Sequence, residues 1–131
     1  MAYIRSGNGG GGGMTKTVLW TNPSTTMGAT TITLSDNASN YDYLGIHFQG
    51  RTNYTPTETY DVLIPIETWN RSSSASADTK GPFEMAIGYK YNGSNLREVY
   101  RVSDTEIYFS KRSGSYSDGA SMPLEIYGLK V

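Results

Sequence analysis

Apolar residues return at every second position through most of this chain, and that period describes half-buried strands rather than helices. In Tyr41–Gln49, Leu44, Ile46 and Phe48 share one face, while Tyr43, Gly45, His47 and Gln49 take the other. Thr30–Leu34 alternates likewise, with Ile32 and Leu34 inward and threonines outward. Phe83, Met85, Ile87, Tyr89 and Tyr91 give the cleanest such series. Tyr60–Trp69 sets Val62, Ile64 and Ile66 on one face. Its Pro65 has no N–H for a ladder, so this strand lies at a sheet edge or carries a bulge.

Lys16–Trp20, Leu96–Ser103, Thr105–Lys111 and Ser121–Val131 complete the set, with Ile107, Phe109, Leu124 and Ile126 inward. Between these runs lie turn signals. Ser35–Asn40, "SDNASN", is rich in side chains that hydrogen-bond their own backbone. Asn92-Gly93 marks a hairpin, although "YNGSNL" allows a loop longer than two residues. Arg71–Lys80 and Arg112–Ala120 read as long surface loops. Seven or eight strands without a convincing helix predict an all-β fold, an antiparallel β-sandwich of jelly-roll type, over residues 14–131.

Composition agrees and narrows the function classes. Of 131 residues, eleven are Tyr and fifteen Gly, and the length suits one domain. A net charge of −1 with both signs interspersed supplies no cationic face for nucleic acid. No run approaches the roughly 18 apolar residues of a membrane span, so no membrane partner is expected. "MAYIRS" lacks the apolar segment of a signal peptide. The absence of cysteine excludes disulfides and thiolate zinc sites.

Gly7–Gly13 holds six glycines and Asn8. Gly7, Gly9 and Gly12 match G-x-G-x-x-G, but a dinucleotide cradle must follow a strand and open a helix. This run instead precedes the strand-like Lys16–Trp20. The sequence therefore predicts a tether comprising Gly7, Gly9, Gly10, Gly11, Gly12 and Gly13, between a head peptide, residues 1–6, and the body. Such a coil spans about 15 Å on average, and at most roughly 25 Å when straight.

Chemistry is sparse. His47 is the sole histidine and falls opposite its strand's apolar face, with no partner arranged for it nearby in sequence. No G-x-S-x-G elbow and no cysteine nucleophile occur. Asp104 and Glu106 form the best carboxylate pair, and ion pairing across a hairpin with Arg97 and Arg101 accounts for them as well as acid–base work does. The segment from Asp36 to Asp42 lacks calcium-loop spacing. Four N-x-S/T sequons, at Asn37, Asn53, Asn70 and Asn92, fit a Ser/Thr-rich composition. No enzyme activity, cofactor or metal is expected. Trp20, Tyr54, Trp69 and Tyr116 fall at strand ends or in loops. There a ring serves either to stack on a sugar or partner, with Tyr54, Trp69 and Tyr116 the candidates, or to pack a rim or subunit interface.

The segment "KTVLWTNPSTTMGATTITLSDNASNYDYLGIHFQ" resembles the opening of a β-domain in tail and fibre proteins of phages and prophages of Gram-positive gut bacteria. "VLIPIETW" is similar to that domain's middle strand, and "PLEIYGLK" to its close. The resemblance runs from Lys16 to Val131 and leaves out "MAYIRSGNGGGGG". It implies a virion structural protein, a tail fibre, head fibre or decoration component assembled in the bacterial cytoplasm and exposed on the particle. It further implies a homotrimer; the head peptide that the resemblance leaves out, with Tyr3, Ile4 and Arg5 as its grip, is expected to anchor the chain to a capsid or tail protein. A host-surface glycan is an implied partner, with a dedicated glycan-binding module and, at a distance, a polysaccharide-degrading enzyme as the other readings.

Overall fold

A computed structural model describes residues 13–25, 27–50, 59–69, 84–88, 96–110 and 121–131. Among them are eight strands: β1 (Thr15–Thr21), β2 (Thr30–Thr33), β3 (Tyr43–Gln49), β4 (Thr59–Pro65), β5 (Glu84–Gly88), β6 (Leu96–Arg101), β7 (Glu106–Phe109) and β8 (Met122–Lys130). They form two antiparallel four-stranded sheets, ordered β1-β8-β3-β4 and β2-β7-β6-β5. The chain changes sheet between β1 and β2, β2 and β3, β4 and β5, and β7 and β8. The expected β-sandwich is the fold. Pairing β1 with β8 and β2 with β7 is the jelly-roll element; a β3–β4 hairpin and a β5-β6-β7 meander complete the sheets.

The period-two faces meet in one core. The first sheet contributes Leu19, Leu44, Ile46, Phe48, Ile64, Met122 and Ile126, and the second Ile32, Val99, Ile107 and Phe109. Leu44, Val99, Ile107 and Phe109 are fully buried. Burying one such side chain contributes about 1.5–3 kcal/mol, and the continuous apolar layer fixes the register, because a one-residue slip would turn each strand inside out. Leu34 and Ala38 close one end from the β2–β3 connection.

Two strands are shorter than their sequence runs suggest. β4 stops at Pro65, and Ile66–Thr68 forms a 3₁₀ turn whose first N–H reaches the Asp42 carbonyl. Ile66 nevertheless packs against the core. β3 begins at Tyr43 after a second 3₁₀ turn, Ala38–Asn40. β4 is an edge strand with Pro65 as its last residue, where the missing N–H costs no ladder bond.

Candidate functional site

Polar chemistry gathers at three places: the outer face of the first sheet, one end of that same sheet, and the two arginines of β6. On the outer face the register sets His47 opposite Asp61 on one side and Glu125 on the other. His47 Nδ1 lies 2.7 Å from Asp61 Oδ1, and the Tyr127 hydroxyl donates to Asp61 Oδ2 at 2.6 Å. Tyr127 stands two strands from Asp61 and reaches it by lying across Gly45. A Cβ built on Gly45 would stand 2.1 Å from Tyr127 Cζ, so only glycine admits the ring. Lys16 covers the ring's region from β1, its Nζ 4.4 Å from the centroid and 3.3 Å from a Glu125 oxygen. Partial burial opposes the Asp61 charge, yet the bonds from Tyr127 and His47 outweigh it and hold that carboxyl below its ordinary value. Burial, then the Asp61 bond, push the Tyr127 phenol well up.

The sequence expectation that nothing is arranged around His47 is thus corrected. Partners came from strands 14 and 78 residues away in the chain, at Asp61 and Glu125, which no local reading could supply. The one local hint was Gly45 inside an otherwise regular strand, a mark of close approach. Chemically the cluster is closed upon itself. Each Asp61 oxygen is engaged, and the Tyr127 ring, 6% exposed, is enclosed between Gly45 and Lys16.

At the end of this sheet where β3 begins and β4 finishes lies a depression of about 260 Å³, lined by Asp42, Tyr43, Pro65, Ile66, Glu67 and Val131. Asp42 Oδ2 accepts the Val131 N–H at 2.7 Å, and the Asp42 carbonyl holds Ile66.

The arginines depart most from expectation. Arg97 is completely buried and donates to the carbonyls of Met27 at 2.9 Å, Ser110 at 2.9 Å and Ser121 at 3.0 Å. It is not across a hairpin from Asp104 and Glu106. Arg101 does meet Asp104, at 2.8 Å, and donates to the Trp69 carbonyl at 2.7 Å. Asp104 also accepts from Ser39, and that hydroxyl bond, with Arg101 and against some burial, keeps its carboxyl below the usual range. Glu106 accepts from Ser103 at 3.1 Å. The carboxylate pair therefore serves bends and strand ends. Asp36 is similarly occupied by Asn37, Asn40 and Tyr41.

Trp69 is corrected as a ligand ring. It is 3% exposed and belongs to the core, held by Arg101 below the 3₁₀ turn, because the chain turns inward after Pro65. Trp20 is half-buried and tilted against Phe109. Tyr54, Tyr116, Tyr3, Ile4, Arg5, Gly7, Gly9, Gly10, Gly11 and Gly12 lie outside the described residues, as do both long loops; Gly13 is described and exposed. Among the described residues no group of three His, Cys, Asp or Glu could hold a metal ion. No protein-family model and no curated protein matches the chain.

Proposed function

We propose that this chain is a structural component of a phage particle: a tail-fibre, head-fibre or decoration protein. Residues 1–6 anchor it to a capsid or tail partner, and Gly7–Gly13 lets the sandwich stand off the particle. It assembles as a homotrimer and presents its body to the host surface. The observation that carries the reading is where the resembling segments fall. "KTVLWTN", "YDYLGIHF", "VLIPIETW" and "PLEIYGLK" contain the bulk of β1, β3, β4 and β8, which together are one entire sheet, and "TITLSD" contains most of β2 at the edge of the other. The likeness therefore follows one contiguous scaffold.

Two features favour a scaffold over a catalyst or a lectin. The carboxylates that sequence singled out are committed to Ser39, Arg101 and Ser103, and one of the three aromatic contact residues, Trp69, is in the core. The test is direct. Particles induced from the bacterium carrying the gene are banded by density and digested, and peptides of this chain are counted against the major capsid protein. Stoichiometric presence in the band, together with a trimeric mass for the full chain by light scattering, is the expected result. Recovery only from the soluble fraction would overturn the virion assignment; a monomeric mass would overturn the trimer.

A further inference from the structure

β1 and β4 lie at opposite edges of the first sheet, each bordering a single strand among the described residues. The two edges differ in character. On β1 the Ser35 N–H takes up the Leu19 carbonyl at 2.9 Å, so Thr15–Val18 is the open stretch. Its one charge is Lys16, and Met14 and Val18 beside it are 40% and 46% exposed. Residues 59–69 carry Asp61 and Glu67 and no cation. Where β4 ends lies the depression, walled by Tyr43, Pro65, Ile66 and Val131. Four large apolar side chains are exposed among the described residues: Met14 and Val18 at β1, Tyr60 on β4 and Val131 at the depression. Single exposed apolar residues are ordinary, but their confinement to these two surfaces marks a contact.

The registers make the two edges complementary. β1 and β3 run one way, β8 and β4 the other, so a β1 laid beside β4 of another copy is antiparallel to it. On the outer face Val18, Tyr127, Gly45 and Leu63 form one row across the four strands. Rotation about an axis along the strands keeps rows level, so Leu63 of one copy meets Val18 of the next. Lys16 reaches Glu125 at 3.3 Å, and His47 pairs with both Glu125 and Asp61, which puts the ammonium level with Asp61. Asp61 bonds His47 and Tyr127 yet remains exposed, so Lys16 of the next copy extends that row with opposite signs adjacent. Thr15 pairs with Lys130, so Met14 comes level with Val131 and the depression. An unbranched thioether side chain suits such an irregular gap.

We infer that copies of this chain associate edge to edge, β1 of one against β4 of the next. Val18 packs on Leu63, Lys16 meets Asp61, and Met14 enters the depression. A contact between two different surfaces repeats around a rotation axis, and three copies close the ring. Closure also covers both free edges, which otherwise invite indiscriminate strand pairing. The contact deepens the homotrimer proposed above and rests on it.

The chain has no cysteine, so introduced thiols report the contact without background. Full-length Val18→Cys, Leu63→Cys, the two co-expressed, and the double variant are oxidised and separated without reductant. Within one chain the two positions stand about 14 Å apart, three strand spacings, and a disulfide spans at most roughly 7 Å between Cα atoms. The co-expressed pair is expected to yield about tenfold more covalent dimer than either variant alone, and the double variant a covalent trimer. If Leu63→Cys fails to fold by circular dichroism, Lys16→Cys with Pro65→Cys reads the adjoining row in the same way. Light scattering of the unmodified chain separates the possible failures. A trimeric mass without these links, or Val18→Cys chains that link to one another, would overturn the edge contact and leave the homotrimer standing. A monomeric mass overturns both. Links running past three copies show an open fibre and overturn the closed ring. None of these outcomes bears on whether the protein is found in particles.

Discussion

Arg97 and Asp61 are both polar hubs, but one is sealed in the core and the other lies on an exposed sheet face. Arg97 gathers three backbone carbonyls from segments far apart in sequence: the approach to β2, the end of β7 and the start of β8. One of them belongs to Ser121, which has φ of 52°, a left-handed conformation costing a non-glycine residue roughly 1–2 kcal/mol. Asp61 gathers side chains, His47 and Tyr127, with 46% of its own side chain in water. Water can replace the partners of Asp61. It cannot reach the carbonyls around Arg97, so a hydrogen bond at one hub carries a very different energy from one at the other.

The largest expected effect follows. Arg97→Leu strands three carbonyls and removes the hold on Ser121, lowering stability by about 3 kcal/mol or more in urea unfolding. Arg97→Lys restores little, because a point ammonium cannot span the fork. A loss below about 1 kcal/mol for Arg97→Leu would break the contrast between the two hubs.

Next comes Gly45→Ala, whose new Cβ displaces the Tyr127 ring and with it the bond to Asp61. A loss of about 2 kcal/mol is expected. The same substitution in a Tyr127→Ala background should be nearly neutral, and an unchanged loss there would show that the ring is not the obstacle. Tyr127→Phe keeps the ring and deletes one hydrogen bond, for about 1 kcal/mol.

The pH response separates the hubs further. Asp61 has a folded pKa below its ordinary 3.8, so its contribution is complete above that value and drains away as pH falls through the folded pKa. The guanidinium of Arg97 does not titrate in that range. Stability measured from pH 6 to pH 3 should therefore fall less steeply in Asp61→Asn than in the unmodified chain. Identical slopes would mean that Asp61 is not a source of the acid sensitivity. Smallest of all, Lys16→Ala should cost about 0.5 kcal/mol, and that difference should shrink in 0.5 M salt. A salt-insensitive loss would point to lost stem packing over Tyr127 rather than charge.

How much of this was legible varied with the kind of interaction. Leu44, Ile46, Phe48, Ile107, Phe109 and Ile126 were readable as core because burial follows a local period. Pro65 was readable as an edge signal for the same reason: it constrains its own backbone. The arginines misled because an arginine is ordinarily a surface residue. Arg97 and Arg101 share the inward face of β6 with Val99, and only the loops folded over each end of the core supply the carbonyls that make this tolerable. Trp69 misled in the opposite sense, since a position past the end of a strand says nothing about which way the chain then turns.

Sequence by itself determined the all-β class, the strand faces and most strand positions, because side-chain alternation is written residue by residue. The tertiary structure alone decided which strands are neighbours. That choice turned His47 into a partner of Asp61, made Gly45 the seat of Tyr127, and enclosed Arg97 among backbone carbonyls. Each depends on groups brought together from 13 to 82 residues apart, and pairing over such separations is set by the packing of the whole core rather than by any local preference.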